Sequence, residues 1–222
     1  MSRSFTDILL NPNAFFLDVT GEKENFTLPI IIVLASGIVA AGYGYLIGGL
    51  TARMMSWAVP GIEIIITLSS AIGALIGAFI FWLIWTGVVF LISVAFKGKG
   101  SFKRTLQITG YGFLPQVFGS LISLIAAFEY IPRIVVPQMT AATMQDPVVM
   151  QATISALMHD PAMLELTQIT TVITIVFLLW SANIWIFGVQ HARGISVRDA
   201  ALSVGIPVVL YIAYVVYTLG AM

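Results

Sequence analysis

Four uncharged polar side chains, Gln107, Gln116, Gln168 and Asn183, stand inside apolar stretches that also carry scattered Ser and Thr. In lipid such an amide either hydrogen-bonds a neighbouring helix or lines a path for a neutral solute, and the first use is the commoner. A second set is cationic: Lys97, Lys99, Lys103 and Arg104 crowd one short connection, and Arg193 and Arg198 belong to another on the same side of the expected bundle. Together these six form a candidate surface for anionic lipid or a protein partner, each contributing about 1 kcal/mol near an anionic leaflet and screened by salt. The competing use of the same charges is simply to orient the chain in the membrane.

A third set, His191, Arg193 and Asp199, carries less chemistry. A metal site needs more donors than one histidine and a nearby carboxylate, and His159 is expected on the opposite side of the membrane. His191 reads more simply as a cation at a helix end, with Ser196 as a cap for the helix that follows. The sequence has no paired-histidine zinc motif, no Gly-x-Ser-x-Gly elbow and no phosphate-binding glycine loop. Gly110-Tyr111-Gly112 lacks the preceding strand of a dinucleotide site and reads as a helix loosened near Pro115. No catalytic, cofactor-binding or metal-binding residue is therefore expected.

The elements that position these residues follow from composition. Of 222 residues 59% are hydrophobic and 9% charged, with zero net charge. One small soluble core cannot hide that much apolar surface, so lipid must be the solvent for most of the chain. The neutral balance argues against nucleic acid as a partner. Absence of cysteine excludes disulfides and thiolate chemistry. Nothing before the first apolar run resembles a cleavable signal, so that run is expected to serve as the insertion signal.

Five apolar runs meet the roughly 20 residues that a bilayer core of about 30 Å requires: Leu28 to Leu50, Ile64 to Phe96, Leu106 to Phe128, Leu166 to Val189 and Ala200 to Met222. The second would reach roughly 50 Å as one helix, so a tilt or a bend near Gly73 or Gly77 is expected. Small residues four apart, Gly44 with Gly48 and Ser69 with Gly73 and Gly77, are read as close helix packing within the bundle. Arg3, Lys23, Lys97, Lys99, Lys103, Arg104, Arg193 and Arg198 fall on one set of connections and only Arg53 and Arg133 on the other. That bias places the amino terminus in the cytoplasm and, after five crossings, the carboxyl terminus outside.

The remaining segments are expected to be helical but not spanning. Residues 1–26 carry Phe5, Ile8, Leu9, Phe15, Phe16 and Val19 on one helical face, and Asn11-Pro12 starts a second piece, which gives a cytoplasmic amphipathic segment on the membrane surface. In the connection 129–165, Asp146-Pro147 and Asp160-Pro161 read as capped helix starts, the first helix running to about Met158 with Met150, Ile154, Leu157 and Met158 as its apolar stripe. The fold class is all-α: an integral membrane bundle of five transmembrane helices over 27–222, with amphipathic helices at the amino terminus and between spans three and four.

Several of these stretches resemble the Yip domain family, the Ypt/Rab-interacting membrane proteins. The likeness lies in Gly100-Ser101-Phe102-Lys103-Arg104-Thr105, Gly110-Tyr111 and Pro115, in Asn11-Pro12 with Phe15-Phe16, and in Gly188, His191, Gly194, Ser196 and Ala200-Ala201. The resemblance implies the same five-span plan, no catalytic residues, and a role in membrane organisation or trafficking through other membrane proteins or further copies of the chain. Family members in eukaryotes associate with Rab-type GTPases and usually carry a longer cytosolic region before the first span. This chain has a short one, which weighs against a Rab partner and suits a prokaryotic-type member of a cell membrane. The expected function is that of a non-enzymatic scaffold or adaptor in contact with membrane lipids. The alternative is a transporter or channel for a neutral or lipid-like solute, lined by the four amides.

Overall fold

The computed structural model describes residues 5–56 and 61–220, the Phe5 side chain excepted. Arg3 and the last two residues of the expected fifth span lie outside that description. The chain opens with two short helices, α1 (Phe5–Leu10) and α2 (Pro12–Thr20). Asn11 separates them as expected: its side-chain oxygen accepts the Ala14 amide at 3.4 Å, and Pro12 occupies the first turn, where an amide donor is not needed. Their apolar face does not lie on lipid, however. Ile8, Phe15, Phe16 and Val19 are buried in the bundle's main core, with Phe15 edge-on to Tyr111 at 5.2 Å. Gly188 makes room, since a methyl there would collide with Ile108 and come within 3.2 Å of the Phe16 ring. Leu10 and Leu17 alone of the large apolar side chains in this segment are more than half exposed, among the described residues.

Five helices are long and apolar enough to cross a membrane: α3 (Thr27–Met55), α4 (Glu63–Ala95), α6 (Leu114–Tyr130, extended by a 3-10 turn to Arg133), α9 (Pro161–Arg193) and α10 (Val197–Gly220). Their outward sides carry exposed Ile38, Ile72, Ile76, Ile80, Leu91, Ile125, Val172 and Val209, surface that lipid solvates and water would not. Neighbours follow one another around a ring, α4 to α3 to α6 to α9 to α10, and α10 returns to α4.

The tightest seam is α3 against α4. A Cβ on Gly44 would stand 2.9 Å from the Ser70 carbonyl oxygen, and one on Gly48 would stand 2.7 Å from the Ser70 side chain. The α4 partners are thus Ser70 and Ala74, one step of helical phase from the expected Ser69, Gly73 and Gly77. Gly73 and Gly77 would meet nothing within 4 Å. Close packing of small residues holds for the first span but not for those glycines of the second.

The third span also differs from expectation. Residues 102–111 form a separate helix, α5 (Phe102–Tyr111), capped by the Ser101 hydroxyl, which accepts the Arg104 amide at 3.0 Å. Spanning begins only at Leu114. Two causes combine at the break: Pro115 has no amide to continue the ladder, and Gly112 leaves space for the Trp185 indole, with which any side chain there would collide. The indole N–H donates to the Thr109 carbonyl at 2.8 Å.

At the opposite end, a short helix α7 (Ala141–Gln145) precedes α8 (Pro147–Met158). Asp146 caps α8 by accepting the Val148 amide at 2.9 Å, and Asp160 caps α9 by accepting the Ala162 amide at 3.0 Å. Leu157 is buried beside Leu50, Met139 and Leu166, so α8 rests on the bundle. The Met139 amide donates to the Met54 carbonyl at 2.9 Å, tying the connection 129–165 to the end of α3.

Candidate functional site

The six expected surface cations divide. Lys97, Lys99, Lys103 and Arg198 are exposed. Arg193 is 2% exposed and cannot belong to that surface. It lies at the carboxyl end of α9, where the fold turns through Gly194 at φ +62. Its Nε–H donates to the Ser93 hydroxyl at 2.9 Å, its Nη2–H donates to the Gly98 carbonyl at 2.7 Å, and its guanidinium lies 4.2 Å from the centroid of the Phe90 ring. A planar fork can serve all three groups at once, and an ammonium cannot. Lys99 donates its amide to the Arg193 carbonyl at 2.9 Å, which closes the knot. Glycines make it possible: a side chain on Gly98 would press on Arg193, and one on Gly100 would collide with the Ala192 carbonyl.

Arg104 is also spent inside the protein. It donates to the carbonyls of Val19 and Glu22 and, at 2.8 Å, to the Gln107 side-chain oxygen. Gln107, 2% exposed, in turn donates to the Asn25 carbonyl at 3.0 Å. The pair clamps the connection between α2 and α3, which holds the exposed Lys23 at the same end as the other cations. Lys103 pairs with Glu24 at 3.5 Å while staying largely exposed. His191 and Asp199 part company with Arg193: the His191 Nε2 meets the Asn13 side-chain oxygen at 2.8 Å, and Asp199 makes a reciprocal cap with Ser196.

Sequence reasoning missed the aromatic cluster beneath this end. Thr109 joins Thr86 hydroxyl to hydroxyl at 2.6 Å and accepts from the Trp82 indole at 3.1 Å, while its carbonyl takes the Trp185 N–H. A threonine in an apolar run carries no periodic signal that would have revealed it.

The four amides do not converge. Gln107 is in the clamp, and Gln168 and Asn183 are exposed on the outer surface of α9. Only Gln116 faces inward, donating to the Ser181 hydroxyl at 3.3 Å. It borders a cleft of about 390 Å³ between α3, α4, α6 and α9, beside Tyr43, Ser120, Ser123, Thr170 and Thr174. A second chamber of about 290 Å³ shares Ala40, Ala74, Gln116, Ser120 and Thr174 with the first and adds Ser36, Phe81, Phe113, Leu178, Trp185 and Tyr211. Ala40, Ala74 and Thr174 stand near the middle of their helices, so the two neighbouring chambers lie at mid-depth. None of their described lining residues is Asp, Glu, Lys, Arg or His.

A ring of five membrane-length helices with an apolar coat and a hydrogen-bonded cap at one end defines an integral, multi-pass membrane protein. The Yip1 domain model matches residues 6–219, nearly the whole chain, and the protein belongs to that family. An uncharacterized protein of the archaeon Methanocaldococcus jannaschii is 34% identical over 122 residues, which cover 55% of this chain and 86% of that one. That relative agrees with the expectation of a short, prokaryotic-type member. No solved structure matches the chain.

Proposed function

We propose that the protein is a non-enzymatic scaffold or adaptor in a cell membrane, with residues 1–26 and the basic end in the cytoplasm and the carboxyl terminus outside. The observation that carries this reading is the build of the basic end. Arg193 and Arg104 lock the connections around it, while Lys97, Lys99, Lys103 and Arg198 are left exposed. A rigid platform with exposed cations suits anionic headgroups or an acidic surface of another membrane protein, including a second copy of this chain. Exposed Leu10 and Leu17 add an apolar edge that suits the amphipathic segment to the headgroup boundary. Membership of the Yip1 domain family supports the non-enzymatic reading. The neutral overall charge weighs against nucleic acid.

The test neutralises Lys97, Lys99, Lys103 and Arg198 together to Gln and leaves Arg104 and Arg193 intact. At about 1 kcal/mol per cation, enrichment of phosphatidylglycerol over phosphatidylcholine around the purified protein should fall by about a hundredfold or more at low salt. Correct insertion with that loss supports the platform. Inverted or failed insertion with unchanged enrichment means that the charges only set orientation. The transport reading needs Gln107, Gln116, Gln168 and Asn183 around one path, and only Gln116 borders the cleft.

A further inference from the structure

The first two helices lie deeper than a surface segment would. Helices α4 and α9 run side by side in one register: Arg193 bonds Ser93 at 2.9 Å, and the Trp185 and Trp85 rings stand 4.8 Å apart. Trp180, 13 residues before Arg193 on α9, is therefore level with Ile80 and about 20 Å from the Arg193 knot. Its indole N–H donates to the Leu9 carbonyl at 3.2 Å, so the end of α1 shares that level. On α4, Ile80, Ile84, Leu91 and Val94 all face outward, Leu91 with 69% of its surface exposed. Lipid solvates such a stripe, and it runs past the level of Trp180 toward the basic end for about 16 Å, as far as Leu91. That distance is about half of a bilayer core of roughly 30 Å. Leu10, next to Leu9 and 79% exposed, consequently meets acyl chains and not headgroups.

Hydrogen bonding suits that depth. Carbonyls in the last turn of a helix have no partner within it, which water repairs at a surface and nothing repairs in hydrocarbon. The Trp180 indole supplies the donor that Leu9 needs. At the turn between α1 and α2 the Asn11 oxygen takes the Ala14 amide, and nearer the basic end Asn13 meets His191 at 2.8 Å.

The pair also completes the ring. In the half of the bundle away from the knot, α6 stands between α3 and α9. In the near half α6 is missing, because it starts only at Leu114, just after the residues that meet Trp185. Helices α1 and α2 take its place: α2 packs on α9, and Ile8 and Val19 line a groove with Leu28 and Ile31 of α3. Helix α5 moves to the middle, against α3, α4 and α9, where the far half has the two chambers. The near half thus holds one helix more than the far half, about 80 Å² of cross-section for a helix about 10 Å across.

We propose that α1 and α2 form a half-membrane pair, which enters the leaflet at the basic end to about the bilayer midplane, presents Leu10 to its acyl chains and widens the protein there, so that the protein partitions to membrane in which that leaflet is convex. This goes beyond the basic platform. It needs none of the exposed lysines and holds for either orientation in the cell.

Depth is tested first. The chain has no cysteine, so single cysteines carry a nitroxide label at chosen positions. Leu10→Cys and Leu17→Cys change exposed side chains and leave the core intact, exposed Ile80→Cys marks the level of Trp180, and exposed Lys99→Cys marks water. The ratio of oxygen to nickel-chelate collisions, measured in phosphatidylcholine nanodiscs, rises with depth. The Leu10 label should match the Ile80 label within about twofold. The Leu17 label should fall between Ile80 and Lys99, since Phe16 beside Gly188 places it nearer the basic end. Shape is tested with Lys99→Cys in phosphatidylcholine vesicles, where neutral lipid removes any pull on the lysines. The fraction reacting with a membrane-impermeant thiol reagent reports how much protein sits with its basic end outward. That fraction should exceed the inward one by about threefold in vesicles of about 30 nm and be about equal to it in vesicles of about 200 nm, because only the small ones expand the outer leaflet strongly. A Leu10 label that behaves like the Lys99 label, or the same outward fraction in both sizes, overturns the proposal.

Discussion

Replacing Arg193 with Ala should destabilise the whole basic end, and the size of the effect follows from what the guanidinium touches. Removing it leaves the part-buried Gly98 carbonyl without its side-chain donor, at a cost of about 1–3 kcal/mol. Ser93 loses less, since its hydroxyl already donates to the Phe90 carbonyl at 2.7 Å. The cation over the Phe90 ring adds about 0.5–2 kcal/mol. Release from burying the charge offsets part of this, so the net loss should be about 3 kcal/mol. For a chain of this size that is a fall of about 6–12 °C in the midpoint of thermal unfolding. Lys at the same position keeps the charge and the stem but can serve only one acceptor at a time, so about half the loss is expected. The assay is the fraction of protein remaining monodisperse in mild detergent after heating, with exposed Arg198→Ala as a control expected within about 0.5 kcal/mol of the parent. If Arg193→Ala melts within about 2 °C of the parent, the reasoning is wrong. If Lys matches Arg, the fork has no special role.

Two glycines should respond in opposite directions to the same methyl group. Gly112→Ala should lower the thermal midpoint by the equivalent of about 1–3 kcal/mol because Trp185 occupies the space, whereas Gly73→Ala should raise it slightly through helix propensity. Equal shifts by the same heating assay would contradict the packing described for the break between α5 and α6. The clamp on the connection between α2 and α3 should be visible by limited trypsin digestion: Gln107→Leu removes the bond to the Asn25 carbonyl and should speed cleavage after Lys23 by about tenfold, and Lys103→Gln, which breaks an exposed ion pair and a distant contact with the Phe26 ring, should not. Cleavage unchanged in Gln107→Leu would mean that the connection is held by something else.

How much of this was legible in the sequence depended on whether the signal was local. Length and apolarity alone gave the number of spans and placed four of them closely, though the third begins at Leu114 and not Leu106, and Asn11, Asp146 and Asp160 announced their helix starts because an acceptor followed by proline satisfies a helix terminus without reference to anything distant. Helical phase between neighbours is not local. Nothing in the spacing of Ser69, Gly73 and Gly77 says that α4 turns Ser70 and Ala74 toward Gly44 instead. Arg193 was misread for a related reason: a cation after a long apolar run looks like a surface charge, and its acceptors, Ser93 at the end of α4 and Gly98 just after it, precede it by 100 and 95 residues. The amides show the same limit. A glutamine in an apolar run tells that a polar partner is needed, but Gln107 found a connection, Gln116 a facing serine, and Gln168 and Asn183 the outside of the bundle.

The claim on which the account rests is that the end carrying the Arg193 knot and the exposed lysines faces the cytoplasm, so that an odd number of crossings leaves the last helix pointing out of the cell. A short epitope tag joined after Met222, probed with antibody on sealed, right-side-out cells, tests this directly. Staining before permeabilisation is the predicted result. A tag that becomes accessible only after the membrane is opened would contradict the orientation, and with it the cytoplasmic platform.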